Sequence, residues 1–327
     1  MGETMWAVVN EDGEPLKLGN VPKPVCGPGD VLVKNEAAGL NRADLIQRRG
    51  LYPPPPGAPE IMGLECSGTI TEIGKDVRDW QVGARVAGLL VGGGYAEYVA
   101  VDAGSLFPIP DTMSFTQAAA LPEVMMTVWA NIFDRCAFKE GETLLVHGGT
   151  SGIGTMAIQM AKHAGAGQII ITAGTDDKCA YAKALGADIA INYKTQDFEQ
   201  IVRDAGRADV ILDMVGGAYV QKNISAANIG GRIVNIAYMS GAKVELNLMP
   251  IMRKRLVLTG TTLRARPVGE KTIIRDAVLK DFWPAVLEQK IKPIIDTVYP
   301  FDQAEAAQAQ MTKGGHIGKI LLSRAQA

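Results

Sequence analysis

Residues 143–166, TLLVHGGTSGIGTMAIQMAKHAGA, pass from an apolar strand through a glycine turn directly into a helix. A β-branched run that breaks into Gly-Gly-x-Ser-Gly-x-Gly and resumes as a helix is the opening of a βαβ unit. The chain keeps that grammar beyond residue 166. QIIITA, DIAINY, DVILDMV, RIVNIA and LVLTGTT are short apolar runs, with helical stretches after the first three, AYAKALGA, DFEQIVRDA and AYVQKNISAA. Short apolar runs between helices imply a parallel sheet covered on both faces, and six strands complete a doubly wound domain. The fold class is therefore α/β.

The turn itself has the geometry of a phosphate cradle. Gly149 permits a tight turn, and Ser151, Gly152 and Ile153 bring backbone close to a pyrophosphate at a helix N-terminus. Gly154 lets the helix pack against the strand. Two other readings of GGTSGIG fail. A hydrolase elbow needs Gly-x-Ser-x-Gly, but Ile153 stands two residues after Ser151. A short-chain dehydrogenase carries the turn near its N-terminus with a Tyr-x-x-x-Lys pair; here no tyrosine has a lysine four residues later.

Before the turn, WAVVN, DVLVKNEAAGL, ECSGTITEIG, ARVAGLLV and YAEYVAV read as strands separated by glycine and proline. Ser114 and Gln117 form the pattern of a capping box. After residue 264 come a long helix over about 272–290 and two strand-like runs, PIIDTVYP and IGKILLS. The doubly wound domain (124–263) is thus inserted between an N-terminal part (1–123) and a C-terminal return (264–327) that completes the first domain.

Composition excludes several classes. A net charge of −2 without a basic block leaves no footprint for nucleic acid. No apolar run reaches the roughly 20 residues that span a bilayer, and MGETMWAVVNEDGE lacks the features of a signal peptide. Cys26, Cys66, Cys136 and Cys179 form no Cys-x-x-Cys pair, as in a reducing cytosol. A cytoplasmic location is expected.

The segment AAGLNRADLIQRRGLYPPPPGAPEIMGLECSG (37–68), with VGARVAGL, GGYAEYV, QAAALPEVMMTVW, ITAGTDDK and GHIGKILL, resembles the medium-chain dehydrogenase/reductase superfamily, in particular its quinone oxidoreductase branch. The resemblance runs over essentially the whole chain. It implies a GroES-like β-rich catalytic domain beside a six-stranded Rossmann domain, with the acceptor in the cleft between them. Zinc-dependent members carry Gly-His-Glu where this chain has Gly63-Leu64-Glu65, and leucine cannot ligate zinc. The enzyme is expected to be metal-free. Without a Lewis acid to stabilise an alkoxide, it is expected to reduce electron-poor acceptors.

The end of the second Rossmann strand, at Ala173-Gly174-Thr175, offers no carboxylate for the ribose 2′-hydroxyl of NAD. In related quinone reductases a lysine and a tyrosine at the places of Lys178 and Tyr193 hold a 2′-phosphate, so the resemblance implies NADPH. Asp176 and Asp177 complicate this, or serve as favourable charges at a helix start. The resemblance also places Thr127 at the nicotinamide ribose, the backbones of Ala237, Tyr238, Met239, Thr262, Leu263 and Arg264 near the carboxamide, and Lys319 near the phosphates, unless Lys319 is a surface lysine beside a strand. Asn41 and Tyr52 are the expected catalytic residues, Asn41 also touching cofactor. Asn41 could instead be a turn residue, and Tyr52 a ring packed on Pro53–Pro56. Arg264 and Arg266 could orient an anionic or carbonyl acceptor or lie solvated.

The expected activity is transfer of hydride or electrons from NADPH to a quinone. Reduction of enone or alkenal double bonds and NADPH binding with little turnover are the alternatives. The apolar run 256–262 at the sheet edge is expected to pair with its symmetry mate in a homodimer.

Overall fold

The computed structural model describes residues 2–11 and 14–324; Met1, Asp12 and Gly13, within the segment read for targeting, lie outside the described residues. In chain order the strands are β1 (Thr4–Val9), β2 (Lys17–Pro22), β3 (Asp30–Gly39), β4 (Glu65–Ile73), β5 (Arg85–Leu89), β6 (Tyr98–Asp102), β7 (Leu106–Pro108), β8 (Thr143–His147), β9 (Gln168–Ala173), β10 (Ile189–Asn192), β11 (Ala208–Asp213), β12 (Ala227–Asn235), β13 (Val257–Gly260), β14 (Ile295–Pro300) and β15 (Lys319–Ser323). The helices are α1 (Arg42–Arg48), α2 (Phe115–Ala119), α3 (Pro122–Val128), α4 (Gly152–His163), α5 (Asp176–Leu185), α6 (Phe198–Asp204), α7 (Tyr219–Ala226), α8 (Met249–Lys254), α9 (Val268–Asp281), α10 (Trp283–Leu287) and α11 (Ala304–Lys313).

The chain divides into two compact units. One comprises Met1–Val124, Leu263–Trp283 and Pro293–Ala327; the other comprises Met125–Thr262 and Pro284–Lys292. In the first, a sheet runs β14-β15-β3-β4-β5-β7, with β6 also paired to β3, while β1 and β2 form a separate hairpin. The β14–β15 pair is parallel and the other pairings of this sheet are antiparallel. Strand β15, from the end of the chain, lies antiparallel beside β3, with Leu321 opposite Gly39. That pairing brings Lys319 to the N-terminal end of α1. One apolar core, including Leu40, Leu45, Met62, Tyr95, Phe301 and Ile320, packs beneath it.

The second unit carries a six-stranded sheet of order β10-β9-β8-β11-β12-β13, parallel throughout. Counted from β8, this is the 3-2-1-4-5-6 order of a doubly wound dinucleotide fold. Leu145, Ile170, Ile191, Ile211 and Ile233 are buried in its core, which explains why these strands read as continuous apolar runs rather than alternating ones.

Two elements differ from the sequence reading. The helix expected over 272–290 is two helices, α9 ending at Asp281 and α10 beginning at Trp283. Pro284 has no N–H to continue the ladder and fits only a helix's first turn, so the break falls just before it. Val128 leads into a π-helical segment, Trp129–Arg135, which nothing in the apolar spacing announces.

Candidate functional site

In the first unit, a set of buried polar groups gathers at the end of β3. Asn41 caps α1 with extended backbone, and its backbone N–H donates to Asp44 Oδ2 at 2.7 Å. Its side chain is held from both sides: Nδ2 donates to Glu65 Oε1 at 3.0 Å, and Oδ1 accepts from Lys319 Nζ at 2.7 Å. Lys319 Nζ also donates to Glu65 Oε1 at 2.5 Å and to the Leu40 carbonyl at 2.8 Å. Three donors meet three acceptors, so the ammonium is fully satisfied. Lys319 is 4% exposed; it is not a surface lysine. The other oxygen of Glu65 accepts from the Glu123 backbone N–H at 3.0 Å. Gly39 makes the arrangement sterically possible, because a Cβ there would lie 2.1 Å from Glu65 Oε1.

Asp44 is fully buried. Oδ2 accepts from the Tyr95 hydroxyl at 2.9 Å, and Oδ1 from the Gly63 N–H at 3.2 Å. Burial pushes its carboxyl up to about 6, against the lowering effect of those donors. Glu65, Asp44 and Tyr95 were not among the residues expected from the sequence.

Tyr52 and Arg264 form a neighbouring pair in the same unit. The Arg264 guanidinium lies 5.4 Å from the Tyr52 ring centre, and its Nη1 donates to the Tyr52 carbonyl at 3.4 Å. Nε donates to the Val91 carbonyl at 2.7 Å, and the Arg264 carbonyl accepts from the buried Lys271 ammonium at 2.8 Å. Arg264 is therefore a buried structural cation and not a solvated loop residue. Burial raises the Tyr52 phenol above its usual range, so it stays protonated at neutral pH. Arg266 lies 3.9 Å from Glu270, and Leu263 is partly buried.

The glycine turn in the second unit is built for close backbone approach. A Cβ on Gly149 would lie 2.4 Å from Ile171 Cβ, and one on Gly154 would lie 2.3 Å from the Gly148 carbonyl oxygen. Ser151 caps α4, its Oγ accepting from Gly154 N–H at 3.0 Å. First-turn N–H groups have no acceptor within a helix, which leaves those of Gly152 and Ile153 for a ligand. Gly149 and Gly154 thus let strand, turn and helix pack closely, and the N–H groups at the start of this twelve-residue helix suit the pyrophosphate of a dinucleotide.

At the end of β9, Thr175 caps α5 through the Lys178 N–H at 3.2 Å. A Cβ on Gly174 would lie 2.8 Å from the Tyr193 hydroxyl, so Gly174 and Tyr193 lie close together, with Thr175 and Lys178 following at the start of α5. Asp176 accepts from Asn192 Nδ2 at 2.7 Å, which accounts for one of the two troublesome carboxylates. Ala237, Tyr238 and Met239 lie in the turn after β12, which hangs on the turn after β11 through Met239 N–H to Met214 O (3.2 Å) and Ser240 N–H to Val215 O (2.8 Å). Thr127 is buried, and Asn131 links its carbonyl (2.8 Å) to the Thr261 hydroxyl (2.6 Å), beside exposed Thr262. Asn131 was also missed; its role depends on the unforeseen π-helical segment.

No group of three or more His, Cys, Asp or Glu side chains among the described residues could hold a metal ion. The position beside Glu65 is Leu64, buried and without a ligating atom. These residues do not fit zinc. No helix among the described residues is long and apolar enough to cross a membrane.

Residues 27–111 match the family described as alcohol dehydrogenase GroES-like domain, and 152–277 that described as zinc-binding dehydrogenase. A zinc-type alcohol dehydrogenase-like protein of Schizosaccharomyces pombe is 31% identical over 324 residues, covering 90% of this chain and 91% of its own. A synaptic vesicle membrane protein VAT-1 homolog of Danio rerio is 29% identical over 317 residues; 92% of this chain matches 65% of that longer protein. Among solved structures, the quinone oxidoreductase of Thermus thermophilus, also known in complex with NADPH, superposes with a TM-score of 0.83 at 30% identity, covering 98% of this chain and 100% of the other. The CurK enoyl reductase gives 0.83 at 25% identity over 98% and 99%. Sheet order, glycine turn and these matches lead to one assignment: the chain belongs to the medium-chain dehydrogenase/reductase superfamily of oxidoreductases.

Proposed function

We propose that the chain is an NADPH-dependent quinone oxidoreductase that works without a metal. The observation that carries the nucleotide part is the cradle of Gly149, Ser151, Gly152, Ile153 and Gly154, joined to a β9 end without a carboxylate; Lys178 and Tyr193 are the residues that would hold a 2′-phosphate there. Thr127 and the backbones of 237–239 and 262–264 would receive the nicotinamide half. When bound, the nicotinamide supplies hydride to the acceptor. The chain's residues hold and orient: Asn41, clamped by Glu65 and Lys319, presents a fixed amide, and Tyr52 presents a protonated phenol. A reduced quinone takes protons from water, so no strong general acid is required. The likeness to a quinone oxidoreductase known with NADPH supports this reading.

A second reading, reduction of enones, is favoured by the Tyr52 phenol, which burial keeps protonated and able to donate, and by the likeness to an enoyl reductase. Steady-state NADPH oxidation against 1,2-quinones, 1,4-quinones and an enone panel separates the two. Binding of NADPH without turnover on any acceptor would leave a nucleotide-binding protein. The chain is further proposed to form a homodimer through β13, which ends the six-stranded sheet with Val257 and Leu258 exposed.

A further inference from the structure

His147, the last residue of β8, is fully buried, with its ring edge-on to Phe198 and Tyr219, each at 4.8 Å between centroids. Both ring nitrogens are engaged: Nδ1 with Thr172 Oγ1 at 3.1 Å, and Nε2 with Asn223 Oδ1 at 2.7 Å. The direction of every bond in this set is fixed from one end. Asp213 accepts at Oδ2 from the amides of Asn223 (3.1 Å) and Asn235 (3.0 Å), which fixes the Asn223 side chain with its oxygen toward His147. Burial lowers the pKa of His147 and keeps the ring neutral, and an amide oxygen only accepts, so Nε2 carries the proton and Nδ1 is a lone pair. Nδ1 therefore accepts from the Thr172 hydroxyl, whose oxygen in turn faces the Gly148 N–H at 3.4 Å.

The chain of bonds thus begins at the first glycine of the phosphate turn and ends at Asp213. There the other carboxylate oxygen holds the next turn, accepting from Val215 N–H at 2.6 Å and Gly216 N–H at 3.1 Å. The two turns also touch directly. Met214 Sδ lies 3.9 Å from Ser151 Oγ and 3.0 Å from where a Gly148 Cβ would be. The turn after β12, with Tyr238 and Met239, hangs on Met214 and Val215 in its turn. The ends of β8, β9, β11 and β12 are locked in one ring.

From this geometry we infer that His147 is a positioning residue. With Thr172, Asn223 and Asp213 it fixes the spacing between the glycine turn and the turns after β11 and β12, and so sets the shape of the dinucleotide site at both of its ends. This rests on the nucleotide reading above. It names buried residues, His147, Asn223 and Asp213 at 0% and Thr172 at 1% exposure.

Replacing His147 would disturb two ring contacts, so the test is made at Thr172, which is 1% exposed. Thr172→Val keeps the shape and removes the hydroxyl; Thr172→Ser keeps the hydroxyl and removes a methyl. Dissociation constants for NADPH and for NADH are measured by fluorescence titration, with thermal unfolding alongside. A lost partner for a buried acceptor is expected to raise the NADPH constant roughly tenfold in Thr172→Val, while Thr172→Ser stays within about twofold of wild type even though its packing is weakened. Unchanged binding in Thr172→Val overturns the inference. So does equal weakening in the serine variant, since affinity would then track packing alone. A wild-type chain that binds neither nucleotide overturns the nucleotide reading, and this inference with it.

Discussion

Lys319 and Glu65, 254 residues apart in sequence, form a 2.5 Å ion pair whose side chains are 4% and 0% exposed. Taking one partner away would leave a buried charge without compensation, which costs about 3–5 kcal/mol. Lys319→Met is therefore expected to lower the unfolding free energy by that order in urea titration. The double variant with Glu65→Gln should lose clearly less than the sum of the two single losses. Additive losses would show that the pair does not act as a unit.

Asp44 gives the fold a pH signature. Its carboxyl rises from 3.8 to about 6 on burial. Between those values the unfolded chain has released a proton that the folded chain keeps. The folded state therefore loses ground as pH climbs through this window, by about 3 kcal/mol once complete. Asp44→Asn removes this titration. The stability difference between wild type and variant is expected to move in favour of wild type as pH is lowered from about 7 to about 4. A difference that stays flat across that range would contradict the raised carboxyl.

The two ends of the nucleotide surface differ in how far they can yield. A Cβ at Gly154 meets backbone, the Gly148 carbonyl oxygen at 2.3 Å and Gly149 Cα at 2.6 Å; one at Gly174 meets only the tip of the Tyr193 side chain. Gly154→Ala should weaken NADPH binding by about a hundredfold or more, since the helix must back away from the strand. Gly174→Ala should weaken it by less than about tenfold and narrow the preference for NADPH over NADH. Lys178→Ala should narrow the same preference; an unchanged ratio in titrations of both nucleotides removes Lys178 from the 2′-phosphate site.

The outer edge of β13 carries Val257 and Leu258, and α8 before it carries Met249 and Met252, all more than a third exposed. An apolar edge of this kind is a ready template for a second strand. Sedimentation velocity at micromolar concentration is expected to show a dimer, and Leu258→Lys a monomer. A wild-type monomer under those conditions would exclude pairing through β13.

The doubly wound sheet was legible because its signals are local. The inner strands β8, β9 and β11 are short apolar runs buried along nearly their whole length, and Ser151 and Thr175 cap the helices after β8 and β9. The buried network around Asn41 was not legible. Lys319 reaches Glu65 only because β15 returns to lie against β3, and nothing near IGKILLS marks its lysine as buried. Asp44 and Tyr95 are separated by 51 residues and joined by one bond. The role of His147 is not legible locally, since it depends on Thr172, Asn223 and Asp213 in three other elements. The break before Pro284 could have been read from that proline; the seven-residue π-helical segment could not.

The central claim is that this fold passes hydride from NADPH to a quinone without a metal. Anaerobic stopped-flow mixing of the NADPH-loaded protein, treated beforehand with a chelator, with a 1,4-quinone tests it most directly, using NADPH and NADPH deuterated at nicotinamide C4. Rapid single-turnover oxidation is expected, slowed by the deuterium, undiminished by the chelator, and faster than with any enone tried. Failure to oxidise bound NADPH with the quinone, or oxidation that disappears on chelation, would contradict it.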